Sequence, residues 1–214
     1  MIRYRDYENR TAWLRGRNIA LGASDIPVVC GLVSYKTPLE LWKEKTGTII
    51  PPDLRSDPRV SYGTEAEAAL RTLFALKHRG EYEMEYHPFR IYSDDDTPFL
   101  AATLDGELTR ISDNEKGIWE CKTVFIDNKK TLEDWNGRIP DKYYAQILGQ
   151  FASTDCSFAI LNAELRFPDH SAEICEYFID RKECENDIFY VVGECEQFWH
   201  YVREQKRPPT VISL

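Results

Sequence analysis

The chain has 214 residues, 43% of them hydrophobic, enough for one domain over residues 1–214 with a sizeable core. Its 36 acidic and 27 basic residues give a formal charge of −9, which speaks against non-specific coating of nucleic acid and favours engagement at a defined site such as a local basic channel. There is no run of about 18 apolar residues, no apolar signal segment after Met1-Ile2-Arg3-Tyr4-Arg5-Asp6 and no Cys-x-x-Cys pair among the six cysteines, so the expectation is a cytoplasmic protein with reduced thiols and neither membrane span nor zinc or iron–sulfur site.

The first half reads as helical. Thr37-Pro38-Leu39-Glu40 offers a cap, a proline at the first helical position and a glutamate at the third, and Gly47 is a stop, so a helix is predicted over 38–46. Thr64 as a cap predicts a second helix through about Lys77, buried along Ala66, Ala69, Leu70, Leu73 and Phe74. Pro51-Pro52-Asp53 and Ser56-Asp57-Pro58 read as loop. From about Tyr82 the period becomes two: Met84, Tyr86, Phe89 and Ile91, then 99–104, 107–111 and 117–125, predict successive strands of a β-meander with 112–117 as a turn. Asp141 opens a helix with a stripe of Tyr144, Ile147, Leu148 and Phe151, while Tyr143, Gln146 and Gln150 share another face. Strands over about 157–167 and 173–180 precede a helix from about Arg181 to Gln205, capped by Asp180 and stopped before Pro208-Pro209. This order, α then meander then α then β, is that of the restriction-endonuclease-like α/β fold, a central mixed sheet flanked by helices.

Two segments carry chemistry. Thr103-Leu104-Asp105-Gly106 closes one extended segment, and Glu120-Cys121-Lys122 follows fifteen residues after that aspartate. On a strand Glu120 and Lys122 point the same way with Cα atoms roughly 6.5–7 Å apart. Two carboxylates supply hard oxygen ligands for Mg²⁺ or Mn²⁺, and the ammonium can hold or deprotonate a water beside the metal, an assembly suited to phosphodiester hydrolysis. The plainer alternative is a solvated strand face after an Asp-Gly turn. None of His78, His87, His170 and His200 has metal-ligand spacing with another.

Six pieces in collinear order resemble one family: Gly22-Ala23-Ser24-Asp25-Ile26; Tyr35 to Gly47; Tyr62-Gly63-Thr64-Glu65-Ala66-Glu67; Thr103 to Gly106; Glu120 to Lys122; and Ile139-Pro140 with Tyr143-Tyr144-Ala145-Gln146. Across about residues 13–151 the chain resembles the YqaJ-like viral recombinases, related to the lambda-type phage exonucleases of the PD-(D/E)XK nuclease superfamily. Leu104 stands where that family has proline, which alters the turn and leaves the carboxylate available. The C-terminal third carries no matching motif.

The resemblance implies Asp105 and Glu120 as metal ligands with the Cys121 carbonyl as a neutral oxygen, Lys122 orienting or activating the attacking water, and Gln146 near that water or the scissile phosphate with Tyr143 beside it. It implies a third acid and selects Glu67; periodicity does not decide, because Glu65 and Glu67 flank the apolar stripe on opposite sides. Arg17 and Ser24 would form a pocket for a terminal 5′-phosphate, with Ser24 as a simple helix cap the alternative. The activity implied is Mg²⁺-dependent digestion of double-stranded DNA ends, 5′ to 3′, exposing single strands for an annealing recombinase, in a phage setting and as a ring-shaped oligomer around DNA. The rivals are a same-fold endonuclease or single-strand nuclease, and a non-catalytic accessory protein that binds a host protein.

Overall fold

The computed structural model describes residues 1–54 and 56–209. In chain order they form β1 (Ile2–Asp6), α1 (Arg10–Arg17), β2 (Leu21–Gly22), a 3₁₀ turn (Ala23–Asp25) running into α2 (Ile26–Val29), α3 (Pro38–Lys45) and α4 (Pro58–Lys77). Next come β3 (Tyr82–Glu85), β4 (Arg90–Asp94), β5 (Leu100–Ala101), β6 (Gly106–Arg110) and β7 (Lys116–Phe125). The remainder is α5 (Lys129–Asp134), α6 (Asp141–Ala152), β8 (Phe158–Arg166), β9 (Ala172–Asp180), a 3₁₀ turn (Arg181–Cys184) and α7 (Glu185–Arg203).

The central sheet has the order β3-β6-β7-β8-β9, antiparallel except between β7 and β8. A parallel pair needs a long crossover, and α5 and α6 fill it, which lays α6 across the sheet. Side chains alternate along β7. Trp119 and Cys121 face α4, where Leu70 and Phe74 pack on them with Leu108, Phe158 and Ile160. Ile118 points the other way and joins Ile147, Leu148 and Phe151 of α6, Leu161 and Ala163 of β8, and Val191, Cys195 and Phe198 of α7. Helices thus cover both faces of a mixed sheet, as the sequence predicts.

Two small pairings hold the N-terminal region to this frame. β1 pairs antiparallel with β4, and Leu21-Gly22 of β2 pairs parallel with Leu100-Ala101 of β5. The second brings the 17–25 segment beside the turn that carries Asp105. Gly149 lets α6 approach that segment closely: a Cβ there would stand 2.0 Å from Ile26 Cδ1 and 3.3 Å from the Ala23 Cα.

Several expectations need correction. The first element is a strand, since β1 finds its partner in β4, and β4 and β5 pair outside the central sheet, so the strands between Tyr82 and Phe125 are not one continuous meander. The second helix begins at Pro58: the Asp57 side chain accepts from the Arg59 N–H at 2.8 Å, and Thr64 lies inside the helix, its hydroxyl bonded back to the Val60 carbonyl. Asp180 caps the 3₁₀ turn that precedes α7. The helix predicted over 38–46 is α3, with Thr37 and Glu40 forming a reciprocal capping box. Among the described residues no helix is long and apolar enough to cross a membrane, and all six cysteines are free.

Candidate active site

Strands β6 and β7 part at Asp105. Their register runs Gly106 to Trp119, and beyond it the Asp105 carboxylate accepts the Cys121 N–H at 3.0 Å, so a side chain takes over where the backbone ladder stops. The middle of β7 stays buried beside this opening, and Glu120 lies on the side covered by α6. Glu120 is 1% exposed. Its Oε1 accepts from Lys122 Nζ and from Gln146 Nε2 (2.6 Å), and its Oε2 from Gln150 Nε2. Gln146 and Gln150 are one helical turn apart on α6, so both amides reach the same carboxylate.

Arg17, Gly22, Ser24, Thr103, Asp105, Glu120, Lys122 and Gln146 line one cleft of about 160 Å³. Arg17 ends α1, lies over the Trp13 ring at 4.7 Å, and donates to Ser24 Oγ at 3.3 Å. Ser24 is no helix cap here: Gly22 holds that position, and its N–H goes to the Asp25 carboxylate at 3.0 Å, which is also paired with Lys45. Tyr143 stays outside the lining, with its ring centroid 5.6 Å from Lys122 Nζ and 4.8 Å from Lys142 Nζ. Glu67 also stays outside; the guanidinium of Arg71, one turn later on α4, holds it. Cys121 turns its buried thiol towards α4.

Charge is crowded in this space. Burial pushes the Asp105 carboxyl well above the ordinary carboxylate range, and the Glu120 and Glu67 charges add to the rise against Lys122 and the Cys121 N–H. Glu67 is raised too, first by burial and then by Glu120, with Arg71 opposing. Burial disfavours the Lys122 ammonium, but the Glu120 and Asp105 carboxylates outweigh it and lift its pKa above the usual lysine value. Burial lowers Arg17, with Asp25 and Asp105 opposing; an arginine keeps its charge through such a shift.

Among the described residues no group of three His, Cys, Asp or Glu side chains converges tightly enough to hold a metal ion. The donors nonetheless fit a hard divalent cation in kind: two acidic side chains line one cleft, and the carboxyl of Asp105 is raised first by burial and then by neighbouring carboxylate charge that a cation would offset. The buried Gln150 Oε1 has no hydrogen-bond partner among the described residues either.

Sequence reasoning missed Gln150 and Arg71 as parts of this arrangement. Both stand four residues after a residue it assigned, Gln146 and Glu67, so helical spacing was the available signal.

The chain is 32% identical over 143 residues to YqaJ, an uncharacterized protein of Bacillus subtilis (strain 168), covering 65% of this chain and 40% of that protein; it therefore spans well under half the length of that relative. An alkaline exonuclease, LHK-Exo, of Laribacter hongkongensis superposes with a TM-score of 0.58 at 17% identity, covering 90% of this chain and 96% of that one. The same enzyme in complex with dAMP gives 0.59 at 17% identity, over 91% and 95%. A phage-related exonuclease of Haemophilus somnus 129PT gives 0.55 at 13% identity, over 87% and 96%. At these identities the solved structures establish the fold, the mixed sheet with helices on both faces of the PD-(D/E)XK type. Residues 12–157 match the YqaJ-like viral recombinase domain, and the chain belongs to that family.

Proposed function

We propose that the protein is a divalent-metal-dependent deoxyribonuclease that removes nucleotides from double-stranded DNA ends in the 5′ to 3′ direction. The observation that carries this reading is the cleft itself: Arg17 and Ser24 line one part and Asp105, Glu120, Lys122 and Gln146 the other, within about 160 Å³. A strand end whose terminal phosphate lies against the Arg17 guanidinium would extend its next phosphodiester towards the acidic cluster. The structural neighbours, an alkaline exonuclease, one form of which is described with dAMP, and a phage-related exonuclease, support the exonuclease part of this reading.

Asp105, Glu120 and the Cys121 carbonyl would hold the cation, with Glu67 as a further acid from α4. Mg²⁺, or Mn²⁺ in its place, would supply Lewis acidity and lower the pKa of a bound water. The protein's own groups do the rest. Lys122, paired with Glu120, presents a fixed ammonium to the attacking water and to the charge that develops on phosphate oxygens. Gln146 and Gln150 lock the Glu120 carboxylate in one orientation from above. The single strands left behind suit an annealing recombinase, the partner that the family's recombination setting favours.

The test is digestion of end-labelled linear duplex beside covalently closed DNA, with Mg²⁺ and with EDTA. Mononucleotides released from the linear substrate alone, and only with metal, are expected. Cutting of the closed circle would replace the exonuclease reading with an endonuclease, and activity in EDTA would remove the metal from the scheme.

A further inference from the structure

Arg71 has no part in the reaction as drawn, yet it joins two elements of the site. It lies one helical turn after Glu67 on α4, so both side chains leave the same face. Its Nη2 donates to Glu67 and its Nε to the backbone carbonyl of Asp105 at 2.7 Å. The guanidinium lies 3.5 Å over the Tyr86 ring, and the side chain is only 13% exposed. A single planar cation, backed by an aromatic face, is thus fixed to one acid of the cluster and to the main chain that carries another.

This arrangement uses what is particular to arginine. A guanidinium offers donors in a rigid fork and can serve two acceptors at set angles; an ammonium is a point charge that favours one. The position also answers the local charge: Lys122 pairs with Glu120 on one side of the cluster, and Arg71 pairs with Glu67 on the other. A plain tie between α4 and the turn before β6 would need only packing and a positive charge. Holding Asp105 and Glu67 in fixed relation needs the fork.

We propose that Arg71 is a positioning residue of the metal site, fixing the Asp105 turn through its carbonyl and holding Glu67 at the rim of the carboxylate cluster, with Tyr86 as its backing. The inference rests on reading the cleft as a metal site. Ligands held in advance by a second layer of contacts bind metal more tightly, and loss of such a contact costs about tenfold to a hundredfold in affinity or activity.

The test compares wild type with Arg71→Lys and Tyr86→Leu, using calorimetry of Mn²⁺ binding, thermal melting without metal, and cleavage at saturating Mn²⁺. Arg71→Lys keeps a cation beside Glu67 and is expected to melt close to wild type, to bind Mn²⁺ about tenfold or more weakly, and to cleave more slowly even when saturated. Tyr86→Leu, at an exposed position, touches neither bond and should weaken Mn²⁺ binding in the same direction with the fold intact. Wild-type Mn²⁺ affinity in Arg71→Lys overturns the proposal. Should Arg71→Lys fail to fold, Tyr86→Leu decides, and unchanged Mn²⁺ binding in it is equally fatal. A wild-type protein that binds Mn²⁺ without cutting DNA ends the nuclease reading and leaves the calorimetric comparison to judge Arg71, whereas one that binds no Mn²⁺ overturns both.

Discussion

Glu120 shows how one residue can be costly and useful at once. Burying a carboxylate is unfavourable unless donors meet it, and here Lys122, Gln146 and Gln150 all do. Asp105 is less well served, having one backbone N–H and two acidic neighbours, and it pays through its proton affinity. Asp105→Asn keeps the shape and the acceptor for Cys121 while removing the charge. Cleavage should be lost. The metal-free fold should become more stable, in a pH-dependent way. A carboxyl whose pKa is raised on folding contributes stability that is full below its unfolded value, about 3.9, and is lost as pH rises through the folded value. Wild type therefore weakens over that window and the asparagine variant does not, so the gain in melting temperature should be larger at about pH 8 than at about pH 5. Equal gains at both pH values would show that folding does not raise the pKa of the Asp105 carboxyl. Asp105, Glu120 and Lys122 were legible in the sequence because strand alternation aims two of them at one side and the third closes the preceding segment. Periodicity did not decide which of Glu65 and Glu67 approaches them, since α4's tilt over the sheet is set by packing between residues far apart in sequence; the family resemblance alone selected Glu67.

Among the elements, α4 and α6 matter most to the site, and their sequence signals differ. The start of α6 was readable because its apolar stripe and its opening aspartate agree. The start of α4 was misplaced by about two turns: Ser56-Asp57-Pro58 has the composition of a turn, while Asp57-Pro58 is equally a cap followed by proline at the first helical position. Thr64 imitates a cap, but a mid-helix threonine satisfies its hydroxyl on the preceding turn, here on Val60. Stability can separate the two readings. Asp57→Ala should cost about 0.5–2 kcal/mol in urea unfolding, the usual loss for an N-cap, whereas Thr64→Ala should stay within about 0.5 kcal/mol of wild type. The reverse ranking would return the helix start to Thr64. The short strand β2 escaped recognition for another reason: two residues carry no period, and its pairing with β5 joins positions nearly eighty apart.

At the scale of the molecule, the formal charge of −9 means that on the proposed function DNA would not be drawn in by the surface at large, and engagement would fall to Arg17 and Lys122 in the cleft. The family match ends at residue 157, yet β8 pairs with the whole upper length of β7 and α7 closes the core beneath α6, so the C-terminal third supports the site without contributing a lining residue. What the fold accomplishes is to bring Arg17 and Ser24, from the far N-terminal segment, into one cleft with Asp105 before β6 and Glu120 on β7. If that cleft grips a terminal 5′-phosphate, duplexes ending in 5′-phosphate should be digested faster than those ending in 5′-hydroxyl. A charge-assisted hydrogen bond contributes about 1.5–3 kcal/mol, or roughly tenfold to a hundredfold in rate at limiting substrate. Arg17→Ala should abolish the preference and leave the slower 5′-hydroxyl rate nearly unchanged, because Asp105, Glu120 and Lys122 are held by other elements. The decisive readout is the ratio of the two rates rather than either rate alone, since a general loss of folding lowers both. A wild-type ratio near one would leave Arg17 as a partner of Ser24 and Trp13 only, and the 5′ to 3′ direction would lose its structural support.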